Sequence, residues 1–169
     1  MRAVALMLTA LLAACSGDSD VAAPDRPIDL ETAAIERGLV RDPKDTEIAG
    51  LYARDTDRVC VVAERGAYRI GAYVDYGEQV TCSGSGRATR VGETLHIEFD
   101  KAEACSFDAK FDGERIVFPG RVPDACASLC TRRASFAALE VARLSQSPSE
   151  AAALRDSRGQ LLCRSDGLR

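Results

Sequence analysis

Apolar and polar positions divide the chain into four stretches with different periods. Residues Ala3 to Ala14 form an unbroken run of apolar and small residues behind Met1-Arg2. The run is far shorter than the roughly 20 residues that cross a bilayer as a lasting helix, so it reads as a removed signal segment. From Ser16 to Pro27 almost nothing can be buried, and Ser, Gly, Asp, Ala and Pro dominate; this is a tether. Asp29 to Gly38 has a helical pattern, with Asp29 as cap, acidic residues in the first turn and Gly38 as the closing left-handed residue. Asp42-Pro43 ends that segment.

From Ile48 the period becomes two. Gly50-Leu51-Tyr52 opens a first strand, and Arg58 to Glu64 puts Val59, Val61 and Ala63 on one face with Cys60 and Val62 on the other. Gly66 turns the chain into Tyr68–Tyr76, and Gly77-Glu78 turns it again into Gln79–Ser83. Ser83-Gly84-Ser85-Gly86 reads as a turn or bulge, because it matches no nucleotide-binding fingerprint. Strands are expected over Arg87–Val91, Leu95–Asp100, Ala104–Phe111 and Arg115–Phe118, the last pair joined by the hairpin signal Asp112-Gly113. Short strands with short turns and no intervening helix predict a mainly β domain, an antiparallel meander closing into a small barrel or sandwich. Near the end, Ala125–Cys130 predicts a helical turn and Ala134–Leu144 suits strand or helix. Ser147-Pro148-Ser149-Glu150 is a capping box that predicts helix from Pro148 to about Ser157, with Leu161-Leu162-Cys163 pinning the tail.

The junction Leu12-Ala13-Ala14-Cys15 resembles the lipobox of bacterial lipoprotein precursors. The resemblance implies cleavage before Cys15, lipidation of its sulfur and acylation of its new amine, and hence a membrane anchor that is practically permanent. It implies a bacterial envelope location. Ser16, standing where many retained lipoproteins carry aspartate, favours the periplasmic face of the outer membrane. The expected organisation is a signal peptide over 1–14, a lipidated tether over 15–28, and one domain over 29–169 with a short N-terminal and a C-terminal helix.

Of seven cysteines, Cys15 is assigned to lipid. Cys60, Cys82, Cys105, Cys126, Cys130 and Cys163 remain as disulfide candidates in an exported chain. Spacing leaves the pairing open; the favoured set is Cys60 with Cys82, Cys105 with Cys126 and Cys130 with Cys163, the partners in the last two pairs being interchangeable. Cys126 and Cys130 lie one helical turn apart, but no second cluster completes a zinc site, so no metal is expected.

A net charge of −4, with no basic block, argues against nucleic acid, and Arg132-Arg133 reads as a solubilising pair. The absence of Trp and an aromatic share of 5% argue against a base-stacking platform. His96, Glu98 and Asp100 alternate on one strand face opposite Leu95, Ile97 and Phe99. They read as a solvated face, the alternative being a metal- or proton-handling set and a hydrolase built on His96, the chain's single histidine. No catalytic residue and no cofactor is assigned. The expected function is therefore a non-catalytic envelope lipoprotein that binds an envelope protein or supports the envelope. Two alternatives remain: a carrier of a small apolar ligand, since Gly50-Leu51-Tyr52 resembles the Gly-x-Trp opening of lipocalins with Tyr in place of Trp, and an inhibitor of lysozyme or a protease.

Overall fold

The computed structural model describes residues 29–37, 39 and 47–164. The signal segment, Cys15, the tether, Gly38 and the Asp42-Pro43 break lie outside the described residues. The chain divides into two compact units, 1–42 and 43–169. In the first, α1 covers Leu30–Glu36, and the amide of Ala33 donates to the carbonyl of Asp29 at 3.0 Å.

The second unit is a closed barrel of eight antiparallel strands in sequence order. They are β1 (Gly50–Arg54), β2 (Asp57–Glu64), β3 (Ala67–Asp75), β4 (Thr81–Val91), β5 (Thr94–Phe99), β6 (Ser106–Phe111), β7 (Arg115–Val117) and β8 (Glu140–Ser145). Each strand pairs with the next, and β8 returns to β1 through Tyr52 opposite Arg143, so closure leaves no free edge in the ladder. Two-residue turns at Asp55-Thr56, Arg65-Gly66 and Gly92-Glu93 set the first registers. The meander is therefore a barrel, as one of the two expected architectures.

Alternation does what it predicts on most strands: Leu95, Ile97 and Phe99 point inward from β5, and Phe107, Ala109 and Phe111 from β6. Four phenylalanines fill one end of the barrel. Phe99 lies on Phe136 with centroids 5.2 Å apart, Phe107 meets Phe118 at 5.0 Å, and Phe118 meets Phe136 at 6.3 Å. At the opposite end Tyr52 meets Phe111 edge to face at 6.2 Å. The Arg143 guanidinium sits 4.9 Å over the Tyr52 ring, and that of Arg90 sits 4.8 Å over Phe111. Phe136 comes from the long connection between β7 and β8, which folds across the mouth.

Three expectations are corrected. Ser83-Gly84-Ser85-Gly86 is neither turn nor bulge, since β4 runs through it in unbroken register with β3. Its glycines face the interior because a Cβ at Gly84 would lie 2.8 Å from the Phe99 ring, and its serines face outward. Within Ala134–Leu144 only Glu140 onward is strand, the preceding residues being loop. The C-terminal helix α2 spans only Pro148–Ala152, with Ser147 as N-cap accepting from the amide of Glu150 at 3.4 Å. It stops early because the Asp156 carboxylate takes the amides of Arg158 and Gln160, each at 2.9 Å, and folds a loop in place of another turn of helix.

The disulfide pairing is also corrected. The bonds are Cys60–Cys163, Cys82–Cys130 and Cys105–Cys126, so of the favoured pairs only Cys105–Cys126 forms. Cys60 faces outward from β2 into a small cluster with Ala151, Leu162 and Cys163, whereas Cys82 faces the main core. Two side chains on opposite faces of a sheet cannot be joined without breaking it. Cys82–Cys130 and Cys105–Cys126 both staple the β7–β8 connection over the barrel mouth, Cys126 from within a 3-10 helix at Asp124–Leu129 and Cys130 from its C-cap.

Candidate functional site

The residues singled out by alternation on β5 divide between two sites. His96 and Glu98 are exposed, and His96 Nδ1 lies 2.7 Å from Asp108 Oδ1, directly opposite on β6. Glu98 Oε1 is 3.6 Å from Nε2. The Asp108 hydrogen bond, stronger than the cost of partial desolvation, raises the His96 pKa above 6.5, with the negative charges of Asp108 and Glu98 adding to it. Asp100 does not join this set; it pairs with Arg69 at 2.7 Å. Among the described residues no group of three or more His, Cys, Asp and Glu side chains is arranged to hold a metal ion. Asp108 was not visible from sequence, because the β5–β6 connection is too long for its turn to fix which residues stand opposite. Cys126 and Cys130 are separated into different disulfides, and Arg132 and Arg133 are exposed.

The outward face of β3 and β4 forms the floor of a groove of about 930 Å³, built from residues that sequence reasoning did not assemble. Outward-facing serines arise from the same alternation that turns Gly84 and Gly86 inward. Ser83 Oγ donates to Asp156 at 3.2 Å, and Ser85 Oγ donates to the carbonyl of Leu162 at 2.7 Å. These bonds hold the C-terminal segment along one side of the groove. Cys60–Cys163 locks it there, and Gly71 lets it approach, since a Cβ at that position would meet Leu162 at 2.5 Å.

The opposite wall is the turn between β3 and β4. Gly77, Glu78 and Gln79 take positive φ values of 80°, 49° and 63° in succession. For the two non-glycine residues that conformation costs about 1–3 kcal/mol each and persists only where neighbours impose it. The neighbour is Thr131, whose Oγ1 donates to the carbonyl of Gln79 at 2.6 Å and accepts from the amide of Thr81 at 2.9 Å. Thr131 follows Cys130, so Cys82–Cys130 fixes the clamp to the floor. Arg69 closes one end through Asp100 and a 3.1 Å bond to Ser85 Oγ.

Two groups here have shifted proton affinities. Burial pushes the Tyr73 phenol up from 10.0, and although a hydrogen bond with Ser157 acts the other way, the adjacent Asp75 adds to the rise. For Asp156, burial alone would raise the carboxyl. The amides of Gln160 and Arg158, the Ser83 hydroxyl and the Arg158 guanidinium outweigh it and hold Asp156 below 3.8. It is the one buried charged side chain among the described residues, and all its partners are structural.

No protein-family model matches this chain, and no curated protein or solved structure matches it either.

Proposed function

We propose that this is a lipid-anchored bacterial envelope protein whose barrel is a non-catalytic binding module, presenting its outer wall to its partner. One observation carries the second half of that reading: the barrel axis is occupied by packed aromatic side chains, and the connection bearing Phe136 is stapled across the mouth by two disulfides. A carrier of the lipocalin kind holds its ligand inside, which here would require the phenylalanine quartet to vacate. The groove on β3 and β4, by contrast, is open and has fixed walls. The anchor rests on Leu12-Ala13-Ala14-Cys15.

The anchor is tested by growing cells with a labelled fatty acid and comparing wild type with Cys15→Ala. Label and membrane attachment should both disappear in the variant; label retained in Cys15→Ala, or never incorporated by wild type, refutes lipidation at this residue. The outward binding surface is tested by hydrogen exchange on the purified protein with and without native envelope extract. Slowed exchange confined to 75–83 and 157–162 is expected, and slowed exchange only in core strands would return the ligand to the interior.

A further inference from the structure

We infer that the groove on the outer face of β3 and β4 binds a saccharide chain. This deepens the proposed binding function and rests on it.

The first ground is the balance of the lining. Asp75, Glu78 and Asp100 are set against Arg69, Lys101 and Arg158, and Arg69 is already neutralised by Asp100 at 2.7 Å. Such a site has no net preference for an anion or a cation. Between the charges stand the exposed side-chain amides of Gln79 and Gln160, each with donors and an acceptor, while the Ser83 and Ser85 hydroxyls have already given their protons to Asp156 and Leu162. That arrangement matches vicinal hydroxyl groups, each of which donates once and accepts twice.

The second ground is aromatic. Tyr73 is part of the floor, and Tyr76, 62% exposed, directly precedes Gly77, the first of the turn residues that border the groove. A tyrosine offers a flat apolar face with a polar tip at little loss of side-chain freedom, which suits the C–H face of a sugar ring.

The third ground is rigidity. The strained run Glu78-Gln79 is pinned by Thr131, and the other wall is locked by Cys60–Cys163. Weak polar ligands are held only where little ordering remains to be done on binding, and both walls are already ordered. About 930 Å³ stands near the upper end of the roughly 300–1,000 Å³ typical of small-molecule sites, room for several sugar rings.

An extended peptide fits this surface poorly. Peptides that lie along sheets add a strand to a free edge, and the backbone groups of β3 and β4 are spent on their neighbours in a closed barrel.

The experiment is calorimetric titration of the detergent-solubilised full-length protein, its three disulfides verified, with cellotetraose, maltotetraose and the tetramer of N-acetylglucosamine. Saturable binding of at least one is expected. Tyr76→Ala should weaken it about tenfold, equivalent to ~1.4 kcal/mol, and because the ring is exposed the fold is retained. Gln160→Ala, also at an exposed position, should weaken it in the same direction. No binding by any of the three probes, or binding unchanged in both variants, overturns the inference. Hydrogen exchange separates the two levels of the reading. Protection of 75–83 and 157–162 by an envelope protein freed of glycan overturns the saccharide and leaves the outward binding module standing; protection by neither removes both.

Discussion

Phe136 lies on Phe99 with ring planes 23° apart, so a residue from a loop and a residue from a strand close the barrel together. Phe136 is fully buried, and its removal deletes the stacked partner of Phe99 and a tilted ring contact of Phe118 at once. Phe136→Ala should cost about 3–5 kcal/mol in urea unfolding under oxidising conditions. A loss below 1 kcal/mol would mean that the connection does not seat this ring. The variant should also gain an apolar interior void, detectable as stabilisation by benzene that the wild type does not show.

Cys60 and Cys82 stand on opposite faces of the sheet. A peptide map of non-reduced protein should contain Cys60–Cys163, Cys82–Cys130 and Cys105–Cys126 and no Cys60–Cys82 product. The first bond spans 103 residues, and replacing both its cysteines by serine should cost about 4–5 kcal/mol if loop closure in the unfolded chain is the main effect. Recovery of Cys60–Cys82 as the principal peptide would refute the placement of both residues.

Asp156 binds its proton less readily folded than unfolded, so its ionised form stabilises the fold. That contribution is complete above its ordinary value of 3.8 and is lost as pH falls through the lower folded value. Acid unfolding followed by circular dichroism should therefore show a stability decline below about pH 4 that is smaller in Asp156→Asn. At neutral pH the same variant should be less stable by about 1–3 kcal/mol, since amides that faced a carboxylate would face a mismatched amide group. An unchanged acid limb in the variant would show that Asp156 is not the responsible group.

His96 behaves in the opposite sense. Its folded pKa lies above 6.5, so its charged form adds stability that is present below 6.5 and is lost as pH rises through the folded value. With its side chain 47% exposed the energetic effect is small, and nuclear magnetic resonance is the right measurement. The His96 ring protons should titrate with a midpoint above 6.5 in wild type and nearer to it in Asp108→Asn. A midpoint that ignores the substitution would refute the pairing across β5 and β6.

What the sequence disclosed depended on range. Alternation along Leu95–Phe99 and Phe107–Phe111 located the inward faces, because period two is a local property. Short turns between many strands predicted a meander closing into a barrel or a sandwich, and only the pairing of β8 with β1 decides for the barrel. Ser83-Gly84-Ser85-Gly86 was misread because glycine's usual role as a turn residue hid a second use, making room inside for Phe99. Its correct reading was available in the Ser/Gly alternation itself. The groove was not legible, since Ser83 with Asp156, Ser85 with Leu162 and Thr131 with Gln79 are long-range partners. Register around the whole barrel decides which of them meet, and no single stretch of sequence encodes that.

Because the partner of Cys60 lies 103 residues on at Cys163, the bond that seats the tail has to wait for a thiol that follows Cys82 by most of the barrel. Oxidation in order of appearance would first link Cys60 to Cys82, a product that the finished barrel forbids. Oxidative refolding of the reduced protein should therefore reach the native pairing faster with a thiol-shuffling catalyst than with an oxidant alone, which peptide maps at equal times would check.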